Sequence, residues 1–209
     1  MSAESQIKVI LFDVGGVLVR LGGVRPMLEW LGYRMPTEDL WRTWLHSPSV
    51  RAFETGRIAG DEFARQLIDE LQIQVDAQAF LDSFAGWPSE VYPGALELID
   101  RIPPRYVRAV LSNSNAVHWP RVTEDLGLGG LFHHYFVSHL TGRIKPDADA
   151  FEHVIGTLDC GAADILFLDD NLLNVEAARR VGLSAFVVQG PDDAQRVLQQ
   201  FGVVPTPAG

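Results

Sequence analysis

Five short, continuously apolar segments recur along this chain, and they constrain its fold more than any other feature. They span residues 8–13, 107–111, 135–137, 165–168 and 184–188. Strands that are apolar throughout are covered on both faces, as in a parallel sheet. Amphipathic helical patterns separate them, over 95–102, 119–126, 149–158, 172–181 and 192–201. This alternation predicts an α/β fold built on a doubly wound parallel sheet.

The segment 21–88 breaks the alternation, because it contains no convincing strand. Its apolar spacing predicts four helices, over 25–31, 37–45, 61–71 and 76–84, with Thr37 and Asp61 as N-cap or first-turn residues. We therefore expect a core formed by residues 1–20 and 89–209 and an inserted all-helical cap over 21–88. Such an insertion would lie above the carboxyl edge of the sheet, where α/β folds bind ligands.

Composition excludes several kinds of partner. The 209 residues include 17 Lys and Arg against 27 Asp and Glu, a net charge of −10, which opposes binding to nucleic acid or anionic membranes. No apolar run approaches the roughly 18 residues of a membrane span. The N-terminus shows no secretory signal, and the single cysteine, Cys160, excludes an internal disulfide. We expect a cytoplasmic protein whose oligomeric state the sequence leaves open.

Polar residues follow four of the predicted strands or the loops beyond them. These residues are Asp13 with Gly15-Gly16, Ser112-Asn113, Lys145, and Asp169-Asp170-Asn171 with Asn174. A carboxylate at a strand end is a candidate nucleophile or metal ligand, hydroxyl and amide groups hold phosphate, and a lysine supplies a point charge. Taken singly, the first three stretches are also compatible with ordinary polar loops.

The adjacent pair Asp169-Asp170 is harder to explain as an ordinary loop. Two carboxylates directly after an apolar strand are costly unless a cation or hydrogen-bond donors compensate them. A helix N-cap needs only one acid. Oxygen-ligated Mg²⁺ would compensate both.

In their order and placement, these stretches resemble the four motifs of the haloacid dehalogenase-like (HAD) hydrolase superfamily. The segments 12–18, 111–113, 145–147 and 167–171 resemble its first to fourth motifs. The segment 51–63 is typical of its helical C1 cap, and Tyr92-Pro93-Gly94 resembles the return to the core. The resemblance covers about residues 7–201 and implies a Rossmann-like core with a C1 cap.

The resemblance also implies roles for individual residues. Asp13 would attack phosphorus and form an aspartyl-phosphate, and Lys145 would balance charge beside it. Ser112 and Asn113 would donate hydrogen bonds to the phosphoryl oxygens. Mg²⁺ would bind Asp13, the main-chain carbonyl of Gly15, and Asp170. Behind these ligands, three residues would orient Lys145 or a metal-bound water: Asp169, Asn171 and Asn174.

Gly15 departs from the family pattern. Most phosphatases of the family carry a second aspartate there, which protonates the leaving oxygen and then activates water. Its loss costs about 10²–10⁴-fold unless the leaving group needs little protonation. The Asp-x-Gly form resembles a branch that includes sugar-1-phosphate phosphatases. We therefore expect a small phosphorylated metabolite, such as a sugar phosphate, as substrate.

Two alternatives stay open at this point. A 2-haloacid dehalogenase would use Asp13 on carbon without a metal, although Asp169-Asp170 would repel its carboxylate substrate. A catalytically weak relic would only bind phosphate or protein. Four cap tryptophans are expected to pack between helices rather than bind sugar, namely Trp30, Trp41, Trp44 and Trp87. Three arginines near the predicted mouth are candidate substrate contacts, namely Arg20, Arg25 and Arg34.

Overall fold

A parallel five-stranded sheet forms the centre of the protein. The computed structural model describes residues 7–206, apart from the side chains of Glu38 and Trp41. The sheet strands are β1 (Val9–Phe12), β4 (Val107–Ser112), β5 (His134–Val137), β6 (Ile165–Asp169) and β7 (Ser184–Val187), in the order β5-β4-β1-β6-β7. All pairs are parallel, and each strand is confirmed within one residue of its predicted ends. The fold is a Rossmann-like α/β fold.

Helices cover both faces of this sheet. They are α6 (Ala95–Asp100), α7 (His118–Pro120), α8 (Ser138–Thr141), α9 (Ala148–Leu158), α10 (Leu172–Arg180) and α11 (Gly190–Gln200). Two apolar clusters result, one on each side of β1. Among the residues described, no helix combines the length and apolarity needed to cross a bilayer.

The prediction of a continuous α-helix over 119–126 is wrong, because most of this segment is a π-helix. The short α7 continues into a π-helical turn, Arg121–Asp125. There the Leu126 N–H donates to the Arg121 carbonyl, five residues back. The Thr123 hydroxyl donates to the Trp119 carbonyl at 3.0 Å and competes for an acceptor that an α-helix would use.

The cap between the first two sheet strands contains five helices, one more than the pattern predicts. They are α1 (Val24–Trp30), α2 (Thr37–His46), α3 (Pro48–Glu54), α4 (Gly60–Leu71) and α5 (Ala77–Ala85). The additional helix, α3, has only seven residues; its N-terminal signals are Pro48 and the Ser47 hydroxyl, which accepts from the Val50 N–H at 3.1 Å. Thr37 and Asp61 lie in first turns, as expected.

Aromatic rings dominate the core of this cap. Phe53 stacks on Phe63 at 4.3 Å between ring centroids, and Trp44 packs against Trp87 at 5.4 Å. Trp30 packs on Phe80. These three tryptophans pack between helices as expected, whereas the side chain of Trp41 lies outside the described residues.

A two-stranded antiparallel ribbon joins the cap to the core, and the sequence analysis missed it. Strand β2 (Val19–Leu21) pairs with β3 (Pro88–Val91). Each strand is too short for a visible alternation, and the partners lie far apart in sequence. The ribbon brings both chain crossings of the inserted segment together at the carboxyl end of β1.

His118 adds a second link between core and cap. Its ring stacks on Phe84 of α5 at 4.0 Å, and its Nε2 donates to the Phe84 carbonyl at 2.7 Å. The Asn115 side-chain amide donates to Nδ1 at 3.2 Å, which requires the neutral ring. Burial lowers the pKa of His118 to about 4.

We expect this buried histidine to make folding stability depend on pH. The unfolded chain binds a proton at His118 more readily than the folded protein does. The free energy of unfolding is therefore highest above the pKa of His118 in the unfolded chain, and it falls as the pH drops towards 4. Between pH 7 and pH 4, the wild type should lose on the order of 3 kcal/mol more than His118→Gln, whose amide cannot take up a proton. Urea unfolding at the two pH values measures this; parallel losses would contradict it.

Candidate active site

Lys145 lies buried between two aspartates at the carboxyl edge of the sheet. Its Nζ is 2.8 Å from Asp13 Oδ1 and 2.7 Å from Asp169 Oδ2, and its side chain is 1% exposed. Asp13 directly follows β1, and Asp169 ends the neighbouring β6. Burial alone would lower the pKa of Lys145, but attraction by Asp13 and Asp169 outweighs it and raises that pKa. The lysine therefore stays charged.

The loop that carries Lys145 is held by the side chain of Asn113. Asn113 Nδ2 donates to the Lys145 carbonyl at 2.9 Å, and the Lys145 N–H donates to Asn113 Oδ1 at 2.9 Å. Its side-chain amide therefore serves the lysine loop, while Asn113 still lines the cavity. The expected contact of Asn113 with phosphate stays a prediction. The sequence contained no signal for this pairing across 32 residues.

Asp169 is fully buried and held by two donor groups besides the lysine. The Asn171 N–H donates to Oδ1 at 2.8 Å, and Asn174 Nδ2 lies 3.0 Å from Oδ1 and 3.1 Å from Oδ2. Asn174 thus holds Asp169, which in turn holds Lys145, and its expected role in orienting the lysine stays a prediction. The Asn171 side chain instead caps α10 by accepting from the Leu173 N–H at 2.9 Å. Only its main chain reaches Asp169.

Asp13, Asp169 and Asp170 each offer an oxygen within 4.8 Å of the others. One lysine faces these three carboxylates, so the site carries excess negative charge. Burial raises the pKa of Asp13, which Lys145 opposes and the two other aspartates reinforce. Loss of solvent, and then repulsion by Asp169, raise the pKa of Asp170 to about 6. A divalent cation would relieve both effects.

Gly16 shapes the space beside Asp170. Its φ is +72°, and a Cβ there would lie 2.0 Å from Asp170 Oδ2. Neither the backbone conformation nor the space admits a side chain. Gly16 thus allows the loop after β1 to pack directly against the Asp170 carboxylate.

A cavity of about 420 Å³ opens above these residues, between core and cap. All predicted site residues except the buried Asp169 line it: Asp13, Gly15, Ser112, Asn113, Lys145, Asp170, Asn171 and Asn174. Ser112 is buried at the end of β4. Apolar walls rise around these residues, formed by Val19, Leu21, Trp44, Trp87, Val122 and Leu172.

The three candidate arginines do not line this cavity. Arg20 lies over the Tyr92 ring, Arg25 pairs with Glu29 in solvent, and Arg34 binds main-chain carbonyls at 2.8–3.2 Å. Their positions in the sequence placed them near the mouth, but local partners hold each of them. Two other titratable residues that the sequence analysis missed, Glu54 and His118, do line the cavity.

The buried lysine generates a stability prediction. Lys145→Met would leave Asp13 and Asp169 without their cation, which should destabilise the metal-free protein by about 3–5 kcal/mol. The other lysine of the chain, Lys8, provides the control. Lys8→Met removes an exposed ion pair with Asp164 and should barely move the urea midpoint. Equal effects of the two substitutions would contradict this assignment.

Relatives of this chain include named phosphatases. It is 30% identical, over 84% of its length and 87% of the relative's, to a sesquiterpene phosphatase from Aspergillus oryzae. It is 26% identical, over 92% and 97%, to a D-ribitol-5-phosphate phosphatase from Bacteroides thetaiotaomicron.

Solved structures share the fold. One is a HAD family enzyme from Bacteroides thetaiotaomicron in complex with magnesium and inorganic phosphate, with a TM-score of 0.74, 21% identity and coverage of 91% of this chain and 98% of that one. Another is an L-2-haloacid dehalogenase from Xanthobacter autotrophicus, with a TM-score of 0.63, 23% identity and coverage of 95% and 85%.

The family profile for haloacid dehalogenase-like hydrolases matches residues 7–182, which include every residue of the site described above. Named phosphatases occur among the relatives of this chain. This chain therefore belongs to the haloacid dehalogenase-like hydrolases, a family of enzymes.

Proposed function

We propose that this hydrolase is a Mg²⁺-dependent phosphomonoesterase that acts through an aspartyl-phosphate on Asp13. The observation that carries the proposal is the buried Lys145 between Asp13 and Asp169, with the Asp170 carboxyl beside them. Attack of a carboxylate on a phosphate dianion requires positive charge at the reacting atoms and an in-line approach. Lys145 supplies part of that charge and orients Asp13.

The donor set fits Mg²⁺. Asp13 and Asp170 offer hard carboxylate oxygens, and within residues 7–206 no ion pair includes Asp170. Gly15 lies in the loop that directly follows Asp13. These three residues would hold the ion, which would neutralise charge on the phosphoryl oxygens. Ser112 and the main chain of Asn113 would bind the same oxygens from β4. Asp169 and Asn174 would keep Lys145 in position.

The cavity favours a small phosphorylated metabolite, for which a sugar phosphate is our proposal. About 420 Å³ admits a substrate of that size, and the polar floor beneath apolar walls suits a small molecule that carries a phosphoryl group. An isoprenoid phosphate would use the same apolar walls. A substrate screen should therefore compare the two classes directly.

The experiment that tests this proposal is hydrolysis of p-nitrophenyl phosphate at neutral pH, with Mg²⁺, with EDTA, and with Mg²⁺ restored. We expect release only when Mg²⁺ is present, and a loss of more than about 10³-fold in Asp13→Asn, because the nucleophile is removed. Asp164→Asn makes the same change outside the cavity and should retain wild-type turnover.

Two outcomes would contradict the proposal. Turnover that survives in Asp13→Asn would remove Asp13 as the nucleophile. Absence of phosphate release combined with metal-independent halide release from 2-haloacids would establish the dehalogenase alternative instead.

Metal binding yields a separate prediction that needs no turnover. Gly16→Ala should displace the Asp170 carboxylate and weaken Mg²⁺ binding by at least about 10-fold in calorimetry, since one of few carboxylate ligands moves. Gly127→Ala is the matched control, because Gly127 has the same φ of +72° and open space around its Cβ position. Equal Mg²⁺ affinity in the two variants would contradict Asp170 as a ligand.

A further inference from the structure

Glu54 is an acid in the cavity wall to which the proposed function assigns no role. It is the last residue of α3 in the cap, and it lines the same cavity as Asp13 and Lys145. Among residues 7–206, no ion pair includes Glu54. A half-buried acid that forms no ion pair adds little to the stability of the fold, which points to a functional reason for its position.

Two contacts hold the end of α3 against the loop that carries Lys145. Arg51, one turn before Glu54, forms an ion pair with Asp147, two residues after Lys145. Gly56, two residues after Glu54, packs so closely on α8 that a Cβ there would lie 2.5 Å from the His139 carbonyl oxygen. These contacts, before and after Glu54 in the chain, hold this end of α3 against the core.

The surroundings of Glu54 favour a carboxyl group that exchanges its proton near neutral pH. Loss of solvent raises its pKa to about 7, while the Trp44 indole and the charge of Lys145 oppose that shift. Asp13, Asp170 and His118 are the other titratable groups along the cavity, and His118 stays neutral. A group with a pKa near the working pH is efficient in both directions of proton transfer.

The loop after β1 supplies no acid for the leaving oxygen. Residue 15 is glycine, and Leu21 Cδ1 lies 2.9 Å from the position that a Cβ at residue 15 would take. The space beside Asp13 is thus filled by an apolar side chain. Because attack by Asp13 is in line, the leaving oxygen points away from Asp13 and into the cavity that the cap covers.

We propose that Glu54 is the proton donor and acceptor of the phosphatase reaction, an inference that rests on the proposed function. In the first step the Asp13 oxygen–phosphorus bond forms, the bond to the leaving oxygen breaks, and the Glu54 proton moves to that oxygen. In the second step water forms a bond to phosphorus, the Asp13–phosphorus bond breaks, and the water proton returns to Glu54.

The test compares Glu54→Gln with the wild type on two substrates of similar size, p-nitrophenyl phosphate and benzyl phosphate. The nitrophenolate leaves without a proton, whereas the benzyl alkoxide needs one. We expect the ratio of kcat/KM for the nitrophenyl ester to that for the benzyl ester to rise by about 10²-fold in the variant. Glu62→Gln, an exposed cap acid on α4, is the matched control and should keep the wild-type ratio.

The pH profile provides a second readout that a structural role would not change. In the wild type, kcat/KM for benzyl phosphate should fall as the pH rises through about 7, because Glu54 loses its proton. Glu54→Gln should lack this fall, and Glu54→Asp, which keeps the acid, should restore part of it.

The outcomes separate this inference from the proposed function. An unchanged ratio in Glu54→Gln, whether or not both activities fall, would overturn the role of Glu54 and leave the proposed phosphatase function standing. A wild type with no Mg²⁺-dependent release from either ester would overturn the proposed function and the role of Glu54 with it.

Discussion

The buried contact of Lys145 with Asp13 and Asp169 is the interaction on which the rest of the site depends. It joins the carboxyl ends of β1 and β6 to the loop between α8 and α9, which contains Lys145. A buried ion pair stabilises only when its remaining hydrogen-bonding groups are satisfied. Asn113 meets that condition for the lysine loop and Asn174 meets it for Asp169. The same contacts that make the burial tolerable also fix the direction of Asp13.

The core could be predicted because its signals are local or follow from topology. Continuous apolar runs identify parallel strands, and parallel strands bring their carboxyl ends to one edge. The meeting of Asp13, Ser112 and Asp169 at that edge follows directly. The hydrogen bonds between the Asn113 side chain and the Lys145 main chain could not be predicted, because a pairing across 32 residues leaves no periodic pattern in the sequence. The sequence also could not separate two uses of Asn171, whose side chain caps α10 while its N–H holds Asp169.

The cap was predictable only as a set of helices. Its longer helices show the 3.6-residue period, and the short α1 region keeps Met27, Leu28 and Leu31 at helical spacing. The equally short α3 offers only Val50 and Phe53 as large apolar residues, too few to indicate a helix. The function of Glu54 depends on α3 facing the core, and that orientation follows from the Arg51–Asp147 ion pair and the contact at Gly56. Both are contacts between cap and core, which no pattern within the cap records.

Placing the proton-transfer group on the cap would change how the site works. A carboxylate at residue 15 would act whatever the cap does, since it would belong to the same loop as the nucleophile. Glu54 reaches the cavity only while α3 is docked on the Lys145 loop. Bond cleavage to a poor leaving group would then require the docked cap. The glycine at residue 15 and the acid at residue 54 are, in this view, two parts of one arrangement that ties proton transfer to docking of the cap.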